Sequence, residues 1–377
     1  MSLLILGASV RAAAHSALRA GMLPISIDLF ADRDLTAIGP GLRIASESYP
    51  DGLEALASRF PDIPWIYTGA LENHPDLIDR IAARRPLWGI SGAALRTVRD
   101  PGTLSTMLAQ SGFFAPGVRD SAEGLPTDGS WLVKPRNSAG GRSIRPWVRG
   151  TPAPSRPSYF QERVEGTSLA AIFAGTDRGS QLLGITRQWL GRESEPFAYL
   201  GSIGPWTVMD SSRAEIERIG ATLVVECGLR GLFGVDGILR NDGRFAVVEV
   251  NPRYTASVEV LELALGRSLL EYHRLAFDPG CPRSTANRSR PPAFVAKAIL
   301  FAERRCTLPR LDSWKPRALG SLAVSFLADI PQTGMVFESG DPVLTVLARG
   351  STLDLCQSRL ERRLKRWRQR LCTLDWV

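Results

Sequence analysis

The sequence predicts a multidomain fold of mixed α/β and α+β class, and three observations carry that reading. Residues 1–95 alternate short apolar runs with helix-length stretches, the pattern of βαβ units. Residues 96–280 hold an Asp-Gly hairpin between two apolar runs and, before it, an apolar run that opens into a glycine-bearing loop. Residues 281–377 carry further strand-like runs and a basic amphipathic helix. At 377 residues the chain has ample length for two or three domains and a sizeable core.

In the first segment Leu3 to Leu6 reads as a buried strand entering the turn Gly7-Ala8-Ser9. Ala12 to Ala20 follows as a helix, Ile25 to Phe30 as a second strand and Trp65 to Gly69 as a third. The turn lacks the full glycine spacing of a dinucleotide site, which favours a structural role. Glu72, Asn73 and His74 follow a strand end, where open α/β sheets bind ligands and where a capped loop is an equal reading. The N-terminus lacks the basic region of a signal peptide, and no apolar run reaches membrane-spanning length. With 44% hydrophobic residues and a mean hydropathy of −0.04, a soluble cytoplasmic protein is expected. Cys227, Cys281, Cys306, Cys356 and Cys372 are odd in number and widely spaced, which points to thiols rather than a disulfide frame or zinc site.

In the middle segment the run Ser130 to Val133 ends in Lys134 and opens into a small, basic loop through Ser138, Ala139, Gly140, Gly141, Arg142 and Ser143. Small residues let backbone N–H groups approach an anion, and a lysine supplies a point charge for phosphate oxygens; a plain surface turn is the competing reading. Ser158 to Gly166 is a short strand whose charged residues are unusual unless its backbone meets a ligand. In the hairpin from Leu232 to Arg253, a two-residue Asp242-Gly243 turn of type I′ puts Asp236 directly opposite Glu249. Opposed Cβ atoms lie roughly 5 Å apart, and like charges there call for a cation between them. Asn251 points to the same side and adds a hard oxygen ligand of the kind that suits Mg²⁺.

In the last segment, Pro279 to Pro292 is rich in Pro, Arg and Ser and reads as a linker, followed by strand-like runs at Phe294 to Phe301, Leu322 to Leu327 and Val343 to Leu347. The formal charge of +8 is concentrated between Arg359 and Arg370, where seven basic residues face Glu361 alone. Leu360, Leu364, Trp367 and Leu371 recur at helical spacing, so this is expected to be a helix with one docked and one solvated face.

A strand lysine with a glycine-bearing loop, then Gln161-Glu162-Arg163-Val164-Glu165-Gly166, then Asp236 and Glu249-Val250-Asn251-Pro252-Arg253, resembles the ATP-grasp superfamily over roughly residues 97–280. Asp329-Ile330-Pro331 followed by Gly340 to Val346 resembles the C-terminal domain of its biotin-carboxylase-like branch, which includes predicted ATP-dependent carboligases. The resemblance implies an ATP-grasp fold with an N-terminal Rossmann-like pre-ATP-grasp domain (1–95), an ATP-grasp domain (96–280) and a β-rich C-terminal domain (281–377).

By the same resemblance, Lys134 contacts ATP phosphates under the loop from Ser138 to Ser143. Gln161, Glu162, Arg163 and Val164 form the adenine hinge, with the backbone of Glu162 and Val164 holding the base. Asp236, Glu249 and Asn251 hold two Mg²⁺ ions, with Mn²⁺ an accepted substitute, and Arg253 steadies the transferring phosphoryl group. Two departures from the family pattern stand out: Arg99-Asp100-Pro101 where many members carry an early Asp-Lys, and Thr167-Ser168 where an acidic residue commonly grips the ribose.

The implied activity is that of an ATP-dependent ligase joining a small-molecule carboxylate to an amine, or a thiol, through an acyl phosphate with release of ADP. Similar proteins lie close to methanopterin- and methanofuran-type one-carbon cofactor pathways, which points to an amino acid added to a cofactor precursor. Arg187 is read either as a bidentate carboxylate ligand or as a surface arginine. Glu259 is read either toward the substrate amine or at a helix start capped by Ser257. A biotin-carboxylase-like enzyme and a non-catalytic ATP-binding scaffold are the alternatives. No membrane or nucleic-acid partner is expected, and a homodimer is compatible with the sequence.

Overall fold

A computed structural model describes residues 1–192, 194–280, 293–307 and 321–372. The N-terminal part is a four-stranded parallel sheet in the order Gly41–Arg43, Leu23–Asp28, Ser2–Leu6, Trp65–Tyr67. Leu3, Leu4, Ile5 and Leu6 are all essentially inaccessible, as expected of a parallel strand covered on both faces. Helix Arg11–Arg19 makes the first crossover, one residue earlier at each end than the apolar spacing suggests.

Three antiparallel sheets follow among the described residues: a two-stranded one, Cys306–Thr307 with Val336–Phe337, and two larger ones that bear on the site. Of these two, the smaller orders Val118–Arg119, Ser158–Glu162, Asp128–Pro135 and Arg145–Val148. The larger has eight strands: Phe245–Asn251 at one edge, then Gly231–Leu239, Thr167–Thr176, Gly179–Arg192, Glu195–Gly204, Phe294–Phe301, Pro342–Gly350 and Leu327–Ala328. The C-terminal strands therefore continue the same sheet, Phe294–Phe301 pairing directly on Glu195–Gly204. Of the expected run Leu322 to Leu327, only its last residue enters a strand. Most of the expected linker, with Cys281, lies outside the described residues, as does the side chain of Cys372.

Alternation decides what each face of the large sheet carries. Phe173, Ile185, Phe233 and Val235 pack with Ile216 and Leu223 of helix Asp210–Cys227, and the rings of Phe173 and Phe233 stack at 5.1 Å. Ile172, Leu232 and Leu183 pack on the other face with Leu261 and Leu270, from helices Ala256–Leu265 and Leu270–Phe277. Helix Leu353–Cys372 docks Leu360 and Leu371 into the core beside Pro342–Gly350, with Leu364 and Trp367 packed around them. Its Arg359, Arg362, Lys365, Arg366 and Arg368 stay exposed, matching the two-faced helix expected. Cys227 and Cys356 are buried thiols. Among the described residues no helix is long and apolar enough to cross a membrane.

Candidate active site

The hairpin Gly231–Leu239/Phe245–Asn251 brings Asp236 opposite Glu249, by a different route from the one its sequence suggests. Leu239 pairs with Phe245, Arg240 N–H donates to the Arg244 carbonyl, and of the turn residues only Gly243 has a positive φ, +83°. The loop thus has three residues and is not type I′, which requires two positive φ values. This register alone would misalign the two carboxylates. Val248 is an extra, bulged residue that restores the pairing of Asp236 with Glu249 and of Gly234 with Asn251.

Both carboxylates sit on the floor of a cavity of about 600 Å³, within the usual range for a ligand pocket. Asp236 accepts from Gln188 Nε2 at 3.0 Å and from Asn251 Nδ2 at 2.8 Å. Glu249 accepts from Arg99 Nη1 at 2.9 Å. Burial, then the charge of Glu249, pushes the Asp236 carboxyl up to about 7. Against the upward push of burial, Arg99, Lys134 and Arg253 hold Glu249 below its ordinary value. A pair of hard oxygen donors short of positive charge at Asp236 fits a divalent cation such as Mg²⁺. Asn251 turns its amide nitrogen toward Asp236 and its Oδ1 toward Arg253, so as placed it offers the pair a donor; a half-turn of the amide is needed before it serves as an oxygen ligand.

Lys134, from strand Asp128–Pro135, is buried and donates to Gln161 Oε1 at 2.9 Å and to the carbonyl of the bulged Val248 at 3.2 Å. A smaller pocket beside it is lined by Arg99, Ser138, Ala139, Gly140 and Glu249. The loop from Ser138 to Ser143 is docked over this floor. Tyr199 N–H donates to the Gly140 carbonyl at 2.9 Å, and Asn73 Nδ2 donates to the Ser138 carbonyl at 3.3 Å. Gly141 has φ +72°, and a Cβ there would lie 2.0 Å from the Phe197 carbonyl oxygen, so only glycine allows this docking. Arg142 is exposed, and Ser143 Oγ accepts from Arg156.

Glu162, Arg163 and Val164 line the large cavity, with the N–H of Glu162 donating to Gly117 and that of Arg163 to Ser130. Ser168 also lines it and donates to Gln188 Oε1 at 2.9 Å. Arg253 reaches the cavity while its Nε donates to Glu72 Oε1 at 2.7 Å.

The structure decides between the two readings of Arg187 and of Glu259 and corrects that of Ser257. Arg187 is exposed, on the opposite face of its strand, and stacks over Trp206 at 5.2 Å; it is Gln188, one residue on, that faces the carboxylates. Glu259 stands in the first turn of helix Ala256–Leu265, as the helix-start reading has it, in a buried cluster away from the cavity, paired with Arg11 and with Lys297 Nζ at 3.0 Å. Ser257 does not cap its helix, which begins after Thr255; it accepts from Thr186 Oγ1 at 2.8 Å inside the first turn. Glu72, Asn73 and Arg99 do reach the site, and Gln188 was the residue missed, its only signal being a polar side chain on a strand face of undetermined direction.

Residues 100–257 match the ATP-grasp domain family, and the chain carries an ATP-grasp domain. Solved proteins that share the fold include ones in complex with MgADP and with ADP. The fold around the matched domain is also that of ATP-grasp proteins, a parallel N-terminal sheet followed by antiparallel ones. An uncharacterized protein of Methanocaldococcus jannaschii is 23% identical over 207 residues, 54% of this chain and 46% of that protein, so the match spans about half of either.

The fold is shared with the biotin carboxylase domain of 2-oxoglutarate carboxylase from Hydrogenobacter thermophilus, solved with MgADP, ADP and bicarbonate. There the identity is 13%, over 96% of this chain and 89% of that one, with a TM-score of 0.72. N5-carboxyaminoimidazole ribonucleotide synthetase from Thermus thermophilus covers 100% of both chains at 16% identity and a TM-score of 0.68. An L-amino acid ligase from Bacillus licheniformis covers 96% of both at 16% identity and a TM-score of 0.66.

Proposed function

We propose that this protein is an ATP-dependent ligase that activates a small-molecule carboxylate and joins it to an amine. The observation that carries the reading is the Asp236–Glu249 pair, on the floor of one cavity with Lys134 and Arg253 around it. A Mg²⁺ ion bound by these carboxylates would neutralise phosphate charge. Lys134, fixed by Gln161 and the Val248 carbonyl, meets the nucleotide phosphates, and the docked loop excludes water from them. The Glu162 carbonyl and the Val164 N–H receive the adenine edge, since the Glu162 N–H is already bonded to Gly117.

The carboxylate oxygen attacks the γ-phosphorus and ADP leaves, with Arg253 offsetting charge that develops on the phosphoryl oxygens. The amine, or alternatively a thiol, then attacks the acyl carbon and phosphate leaves. In this reading residues 1–95, 96–280 and 281–377 are three working parts, the first closing the site from one side.

Hydroxylamine in place of the amine tests the proposal. Incubated with MgATP and a panel of carboxylates, the protein is expected to yield a hydroxamate with one class of them, and Arg253→Met to lose that yield. ADP release dependent on bicarbonate, with no hydroxamate from any carboxylate, would transfer the assignment to a carboxylase. No turnover in either regime would leave an ATP-binding scaffold.

A further inference from the structure

The parallel sheet sends one short turn into the candidate site. Ala70 is held at φ +75°, a left-handed conformation that strains an alanine, and the next residues, Leu71–Asn73, form a single 3₁₀ turn. Its two polar residues cross to the antiparallel sheets. Asn73 accepts from Arg99 Nη2 at 3.0 Å and donates to the Ser138 carbonyl, touching both the cation on Glu249 and the glycine loop.

Glu72 is only 1% exposed at its side chain, and its Oε1 lies 2.7 Å from Arg253 Nε and 2.6 Å from Nη2. The same guanidinium donates through Nη2 to Asn251 Oδ1 at 2.9 Å and through Nη1 to the Tyr254 carbonyl at 3.2 Å. Tyr49 and Tyr67 wall the carboxylate in; burial and then the Glu72 charge push both hydroxyls up.

The placement has a clear electrostatic sense. Arg253 stands among three acids, in contact with Glu72 and lining the same cavity as Asp236 and Glu249. Without Glu72, those two carboxylates would be the acids left for the guanidinium in the shared cavity. We propose that Glu72 is a positioning residue for Arg253: it draws the guanidinium off the carboxylate pair and fixes the plane from which it meets the phosphoryl group. The arginine is then in register only when the N-terminal sheet is docked. The inference rests on the proposed nucleotide chemistry of this site.

Calorimetric titration with MgADP, alone and with fluoroaluminate as a phosphoryl mimic, tests it on the wild type, Glu72→Gln, Arg253→Met and the double variant. Glu72→Gln is expected to bind MgADP within about twofold of wild type yet to lose roughly tenfold or more of the fluoroaluminate complex, and the double variant to be no weaker than Arg253→Met. Glu72→Asp, which keeps the charge but shortens the reach, is expected to lose an intermediate amount, and it takes the place of Glu72→Gln should that variant not fold. A fluoroaluminate complex as tight in Glu72→Gln as in wild type, or losses that add in the double variant, would overturn the role of Glu72 alone. A wild type that binds MgADP but gains nothing from fluoroaluminate would overturn the role of Arg253 and with it that of Glu72. A wild type that does not bind MgADP would overturn the nucleotide reading itself.

Discussion

Glu259→Gln is a severe perturbation made with a nearly isosteric side chain, and its effect should be on stability. Burial works against the Glu259 charge, but Arg11 and Lys297 overcome it and hold the carboxyl well below the usual range. The 3.0 Å contact with Lys297 is worth about 5 kcal/mol of gross attraction at an effective dielectric near 20. Arg11 keeps Asp329 at 2.9 Å and Asp34 at 3.5 Å when Glu259 is neutralised. Lys297 is left buried without its acid. Part of the loss is returned because one fewer carboxylate is desolvated, so a net destabilisation of about 3–5 kcal/mol is expected.

Urea unfolding followed by tryptophan fluorescence reads this, since nine tryptophans give ample signal. The diagnostic variant is Glu259→Gln combined with Lys297→Met. Replacing the stranded ammonium by an apolar side chain of similar length should recover most of the loss. A single substitution costing under about 1 kcal/mol, or a double variant no more stable than the single, would refute the assignment of Glu259 to a clamp.

Two further tests bear on other parts of the chain. Gly141→Ala should lift the glycine loop off Phe197 and speed tryptic cleavage after Arg142, whereas Gly140→Ala, at φ +66° but with nothing within 4 Å of its Cβ, should not; equal cleavage of the two would deny the docking. His273 accepts from Leu232 N–H and faces the Trp88 carbonyl, and burial lowers its pKa from 6.5 to about 4, so the fold holds it neutral while the unfolded chain protonates it. Its contribution is full above pH 6.5 and falls by about 3 kcal/mol as the pH drops to 4. Buried Asp32 and Asp34, raised to about 9 and about 6, slope the other way, so the quantity to measure is wild type minus His273→Gln. A difference that stays flat between pH 6.5 and 4 would contradict the buried neutral imidazole.

Much of the site was legible because it is local in sequence. Asp236 and Glu249 belong to one hairpin, and apolar alternation around them limits the registers that bury Val235 and Val250. Even so, the turn type was misread, and the pairing held because the Val248 bulge adds back the residue that the longer loop takes away. Nothing in the residue types announces a bulge at Val248, between Val247 and Glu249. Arg187 shows the other limit. The strand Gly179–Arg192 shifts register near Leu182 and near Leu190, so which of Arg187 and Gln188 faces inward depends on pairing with strands whose order sequence does not state. Glu259 was unreadable for a simpler reason: its partner Arg11 is 248 residues away.

The Arg11 cluster also has a bearing on the order in which the chain is made. Asp34 is synthesised soon after Arg11, but it receives the backbone N–H groups of Asp329 and Ile330, and Arg11 Nε reaches Asp329 across 318 residues. The parallel sheet and the carboxylate hairpin therefore both precede, in chain order, the residues that complete this cluster. Until Lys297 and Asp329 are in place, Arg11 and Glu259 have only part of their charge satisfied, so the cluster lends its full stability only once three distant parts of the chain have met.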